Sequence, residues 1–340
     1  MEHASTVSTK AARWLLVALF AFNVYRAATQ AITTDEAIAF DCCVRPPLHD
    51  ILSGYHDHNH FLDILLIKRS VGLFRLSEFA FRLPDLLGGA LYLWGVYRLA
   101  RRAFGGGAWM VAAVATLAFN PLVLDPLSTA GGFAIALALL TWAVEPMLDY
   151  LESDGPFKSP NLNLAGACVG LAVATQLSFV LPAAVLVVAF AIGAAARGRL
   201  TTGPFLERLV ASAVVVAFVF LAIPMSHAAF SDVTEAAGSL ALRAPSYRAH
   251  PPEAAVRDVA RFLRATPGAE KTMRMAASPE FIPALRFYQA RYRIPNLHPA
   301  EPVSAGGAFD CYVLGDQDLG LIAERHLQVV YRGAGIALAR

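Results

Sequence analysis

Apolar residues run in long blocks through the first two thirds of this chain, separated by short polar stretches. The first block, residues 14–32, is about 20 residues long and sufficient to span a bilayer. Residues 61–74 (FLDILLIKRSVGLF) are apolar for about 14 residues but are interrupted by Asp63, Lys68 and Arg69. That length suits an interfacial or re-entrant helix better than a span. A second span is predicted from Leu83 to Arg101 and Arg102, after which Gly105 to Gly107 turn the chain into a third over 108–124. A polar elbow at 125–132 leads to a fourth over 133–148, and residues 152–163 form a polar linker. The block 164–196 is too long for one upright helix and adequate for two short ones meeting near 176–182. A last block occupies 209–223, giving about seven spans.

Beyond Ser226 the pattern changes to mixed polarity with no membrane-length run. Residues 252–265 read as an amphipathic helix, 272–277 as a strand and 279–293 as a second helix. Strands are predicted over 310–314, 327–331 and 335–339, with a helix at 319–326. The expected fold class is mainly α: a polytopic membrane protein with a small C-terminal α/β extracytoplasmic domain. Its parts are a transmembrane domain over 1–225 with an outer loop at 33–82, a linker over 226–250 and the α/β domain over 251–340.

Composition agrees with this pattern. The 340 residues are 56% hydrophobic and 16% charged, and mean hydropathy is +0.51. A formal net charge of +2 without a basic run gives no expectation of nucleic-acid binding. Lys10 and Arg13 precede the first apolar block, but Ala28 and Ala31 make a poor cleavage pattern, so an uncleaved first helix is expected. With the N-terminus inside, the cytoplasmic side receives Lys10, Arg13, Arg98, Arg101, Arg102, Lys158, Arg197, Arg199 and Arg208. The long first loop carries Arg45, Lys68, Arg69, Arg75 and Arg82 against that trend. Of the four cysteines, Cys42 or Cys43 can pair with Cys311 if both face an oxidising side, which the sequence alone does not establish.

The chemistry concentrates just after the first apolar block. Asp35 and Glu36 follow it directly, and Asp41, Asp50, Asp57, His56, His58 and His60 come next. Carboxylates at this depth either mark the water boundary or act as a general base toward an acceptor. His56, His58 and His60 alternate, so an extended strand would put all three imidazoles on one face, where they can ligate a divalent metal or form a solvated turn. Lys68, Arg69, Arg75 and Arg82 can neutralise a phosphate or contact lipid headgroups. Glu78 and Arg82 are spaced to pair on a helix, and Asp125 caps the outer elbow or contacts a substrate. Nucleotide-binding and nucleophile-elbow motifs are absent from the sequence.

The order of these pieces resembles the GT-C glycosyltransferases, in particular bacterial family 39-like proteins related to protein O-mannosyltransferases. The resemblance rests on Asp35-Glu36, on Asn59-His60-Phe61-Leu62, on the stretch from Ser77-Glu78 to Arg82-Leu83-Pro84, on Tyr97 to Arg102, and on Asn120-Pro121 with Leu124-Asp125. It covers residues 14–150 well and 162–225 more loosely. It implies transfer of a sugar from a polyprenyl-phosphate donor to a glycan, lipid or protein acceptor, at the outer face of the bacterial cytoplasmic membrane. Asp35 then maps onto the catalytic base with Glu36 in support, while His58, Asn59, His60, Arg82 and Asp125 are candidate substrate contacts. No cofactor is required outright, since some relatives use a divalent metal and others do not. Two departures stand out: Ala130-Gly131-Gly132-Phe133 occupies the elbow where relatives often carry Ala-Arg-Gly-Tyr, and the chain has fewer spans than relatives usually have. The alternative is a non-catalytic polyprenyl-lipid-binding or scaffold protein of a glycan-assembly complex. A metal-dependent membrane hydrolase built on the histidines is a third reading.

Overall fold

The computed structural model describes residues 2–47, 61–152, 162–198, 251–265, 272–294, 297–305 and 309–340. The protein is mainly helical with a small α/β sheet domain. It divides into two compact units, one of residues 1–28, 48–70 and 81–245, the other of residues 29–47, 71–80 and 246–340.

The first unit is helical. It contains α1 (Glu2–Thr29), most of α3 (Phe61–Phe74) and of α4 (Glu78–Phe104), α5 (Ala108–Ala118), α6 (Pro121–Leu124), α7 (Phe133–Glu152), α8 (Leu162–Thr175) and α9 (Val180–Ala196). Among the described residues two helices are long and apolar enough to cross a membrane, the Val7–Thr29 stretch of α1 and α7. A third candidate pairs Ala108–Ala118 with Pro121–Ser128, bent by 58°. The sequence pattern predicts a continuous span there, and the break has a local cause. The Asn120 side chain accepts a hydrogen bond from the Leu122 amide and Pro121 stands at the first helical position, so a new helix starts where the old one would have continued. The block 164–196 forms two helices, as expected, joined by a single 3-10 turn at Leu177–Phe179. Helix α4 begins at Glu78, ahead of the expected Leu83, because Ser77 Oγ accepts from the Ala80 amide and Pro84 is tolerated inside the helix.

Small residues let these helices approach closely. A Cβ at Gly88 would lie 2.7 Å from the Ile135 backbone nitrogen, so α4 and α7 pack with no room for a side chain there. Around this contact Leu16, Leu19, Leu93, Val96, Met110 and Leu127 form one buried cluster.

The second unit is a five-stranded sheet in the order β2-β1-β3-β5-β4. Its strands are β1 (Met275–Ala277), β2 (Glu301–Pro302), β3 (Cys311–Gly315), β4 (Val329–Gly333) and β5 (Ile336–Ala339). β2, β1 and β3 run parallel, with Ala276 opposite both Glu301 and Tyr312, whereas β5 lies antiparallel to β3 and β4. The strands predicted over 310–314, 327–331 and 335–339 are present to within two residues. β1, β3 and β5 are buried along their lengths, as central strands with covered faces must be, and β4 is the exposed edge. Helices α10 (Pro251–Ala265), α11 (Ile282–Tyr292) and α12 (Gly320–Glu324) complete the C-terminal part. The unit also takes in a segment from far away in sequence: α2 (Thr34–Ala39) and the π-helical turn Phe40–Val44 pack on α11.

Candidate functional site

The segment carrying Asp35 is held from both ends. Thr33-Thr34-Asp35-Glu36 closes a capping box: Thr33 Oγ1 accepts from the Glu36 amide (3.3 Å) and Glu36 Oε2 accepts from the Thr33 amide (2.8 Å). Glu36 is therefore buried and engaged, while Asp35 projects from the first turn as an exposed carboxylate. The Thr34 amide and hydroxyl both donate to Glu253 Oε1, at 2.9 and 3.2 Å. On either side the Ile32 amide donates to Tyr288 Oη (3.1 Å) and Arg257 to the Thr29 carbonyl (2.7 Å). Phe40 packs edge-on against Phe287 with ring centroids 5.2 Å apart, and Arg286 pairs with Asp41 at 2.5 Å.

Beside Thr34 the second unit forms an open cavity of about 400 Å³, lined among others by Glu253, Glu280, Phe281, Asp316 and Gln317. Glu280 and Phe281 directly follow β1, and Asp316 and Gln317 directly follow β3. The cavity thus opens at the carboxyl ends of two adjacent parallel strands. Their connections leave in opposite directions, β1 toward β2 and β3 toward the β4 edge, which is where open α/β sheets form crevices. Buried Ser278 ties the same two strand ends together, accepting from the Gly315 amide at 2.9 Å and donating to Asp318.

Arg82 and Asp125 lie in the helical unit, whereas Glu78 belongs to the second. Arg82 is fully buried and donates to the Ala27 carbonyl at 3.2 Å. The pairing expected between Glu78 and Arg82 is not what forms, because Glu78 makes its ion pair with Arg291 of α11. Asp125 is engaged by Arg26 near the end of α1, and its carbonyl accepts from Ser128 and Thr129. The elbow at 130–133 is held by Asp85, a residue not singled out from the sequence. Its fully buried carboxylate accepts from the amides of Gly131 (3.0 Å), Gly132 (3.1 Å) and Ala134 (3.2 Å) at the N-terminus of α7, where the helix dipole favours an anion. Gly132 has φ +75°, and a Cβ there would meet the Thr175 carbonyl at 2.8 Å, so the elbow requires glycine. The signal that could have found Asp85 was present, an acidic residue inside an apolar helix.

His56, His58, Asn59 and His60 lie outside the described residues. Among the described residues no group of three or more His, Cys, Asp or Glu side chains is arranged to hold a metal. The expected pairing with Cys311 is replaced by a disulfide between Cys42 and Cys43. Cys311 opens β3, opposite Met275 of β1, as a fully buried free thiol, and burial pushes its pKa up to about 11. Compared with protein-family models, with curated proteins and with solved structures, the chain matches none.

Proposed function

We propose that the protein is a membrane glycosyltransferase of GT-C type, moving a sugar from a polyprenyl-phosphate donor to an acceptor at the extracytoplasmic face. The observation that carries this reading is the presentation of Asp35. It is an exposed carboxylate directly after a helix long enough to cross a membrane, on a turn locked by its own capping box, next to a residue lining an open cavity. In the reaction Asp35 takes the proton of the acceptor hydroxyl or amine as that atom attacks the anomeric carbon. The bond from that carbon to the donor phosphate breaks, and polyprenyl phosphate leaves with its electron pair. Glu36 holds the turn. Arg82 and Asp125 act by positioning the helices they bridge, and the loop residues His58, Asn59 and His60 contact substrate. The histidines are also where a divalent metal would be held in relatives that use one.

The seven-span topology with a cytoplasmic N-terminus draws support from chain parity. Residues 29–47 and 246–340 belong to one compact unit, and in this reading they share one side of the membrane. The chain between 81 and 245 then crosses an even number of times. In this reading α4, the bent α5–α6 pair, α7, α8 and α9 supply five passes, of which α7 and the bent pair are long and apolar enough by length and composition. The sixth span expected from the sequence, the apolar block 209–223, lies outside the described residues, and with α1 the expected total is seven. We place this arrangement in the bacterial cytoplasmic membrane.

The scaffold alternative keeps one specific observation in its favour: the polar groups Arg82 and Asp125 are already engaged within the protein. Turnover of a panel of radiolabelled polyprenyl-phosphate sugars in proteoliposomes separates the two. The enzyme reading expects turnover with at least one donor. Tight lipid binding without turnover of any donor would establish the scaffold.

A further inference from the structure

A groove runs between α1 and α4 in the helical unit, enclosing about 710 Å³. Its floor is Leu16 and Leu93, both buried, and its walls are Val17 and Trp94, 56% and 62% exposed. At one end stand three cations, Arg13 near the start of α1 and Arg98 and Arg101 near the end of α4. Two of them are already oriented. Arg13 donates to Tyr97 Oη at 2.9 Å, and Arg98 pairs with Glu145 at 2.8 Å while lying over the Trp142 ring. Arg101 is exposed, and among the described residues its guanidinium has no hydrogen-bond or ion-pair partner. Only 22% of the apolar window of α1 is buried within the protein, so this helix turns most of its surface outward.

We propose that this groove binds one anionic phospholipid of the leaflet at its arginine end, with an acyl chain along Leu16, Val17, Leu93 and Trp94 and the headgroup against Arg101. Charge complementarity selects the occupant. An apolar trough closed by three cations, one of which faces a carboxylate among the described residues, matches a molecule with a hydrocarbon tail and a net negative head. A zwitterionic lipid fills the same trough but offers the arginines no net charge. Near an anionic surface each cation strengthens binding about fivefold, which sets the expected contribution of Arg101. The proposal rests on α1 lying in the membrane and not on the glycosyltransferase reading, so failure of sugar transfer leaves it standing.

The test is native mass spectrometry of the full chain, released from vesicles of phosphatidylcholine and phosphatidylglycerol. The wild type is expected to retain phosphatidylglycerol in preference to phosphatidylcholine. Arg101→Gln should lower that preference about fivefold, and Arg101→Lys should keep most of it. Val17→Trp, which fills the trough and leaves the cations in place, should lose bound lipid of both kinds. Equal retention of the two lipids, a preference unchanged in Arg101→Gln, or no retained lipid because the chain's own residues fill the groove would each overturn the proposal. Unchanged thermal unfolding of the Arg101 variants shows that any change in retention is not a folding defect.

Discussion

Truncation of Phe40 and Phe287 tests whether the Asp35 segment is part of the C-terminal unit. Phe40 is 4% exposed and Phe287 fully buried, so replacing either with alanine removes a core aromatic at a cost of about 3–5 kcal/mol. Their rings meet edge-on at 5.2 Å, a geometry that adds about 0.5–1.5 kcal/mol beyond burial. Each single variant should therefore lower amide protection in both α2 and α11 by roughly two to four orders of magnitude, because the two helices open together. The double variant should cost about 1 kcal/mol less than the sum of the singles, since the shared contact is lost only once. Hydrogen exchange on the full chain, read over 34–44 and 282–292, measures both quantities. Additivity within about 0.3 kcal/mol, or a Phe287→Ala effect confined to α11, would show that the segment does not dock where the structure places it.

Three further outcomes follow from individual contacts. Asp85→Ala leaves the amides of Gly131, Gly132 and Ala134 without their acceptor, and thermal unfolding should show a loss of about 3–5 kcal/mol, with Asp85→Asn retaining part of it. Thr33→Ala removes the cap of α2 at a cost of about 1 kcal/mol, seen as faster exchange over 34–39 and as reduced sugar transfer with unchanged donor affinity. For Cys311 the folded protein keeps the thiol proton up to about pH 11, whereas the unfolded chain loses it near 9.0. The folded state thus binds more protons between those values, and the contribution is full below pH 9 and falls by about 2–3 kcal/mol as pH rises to 11. Denaturant titrations across that range should show the decline in wild type and a flatter profile in Cys311→Ala.

Where local pattern decides structure, the sequence was a good guide. The helix Phe61–Phe74 has the expected bounds, and the strands around Cys311, Val329 and Ile336 follow from short β-branched and aromatic runs between turn residues. The break after Phe119 was also legible, since Asn120-Pro121 is a cap followed by the proline that starts a helix, but the apolar run masks it. Strand β2 is two residues long, Glu301 and Pro302, too short to carry any alternation. What could not be read is long-range. Nothing local links Thr34 to Glu253, Glu78 to Arg291 or Asp41 to Arg286, and the Cys42–Cys43 bond depends on a π-helical turn that no propensity marks. As to the candidate site, Asp35 and Glu36 stood out by position. Their division of labour did not, because it depends on which of the two closes the capping box.

That division is the centre of the account. Its most direct measurement is sugar release by wild type, Asp35→Asn and Glu36→Gln in proteoliposomes with one turned-over polyprenyl-phosphate donor. Loss of a general base is expected to lower turnover about 10²- to 10⁴-fold in Asp35→Asn with donor affinity unchanged. Glu36→Gln, which keeps an acceptor for the Thr33 amide, should lose far less. Full turnover in Asp35→Asn, or a deeper loss in Glu36→Gln, would contradict the assignment of Asp35 as the base.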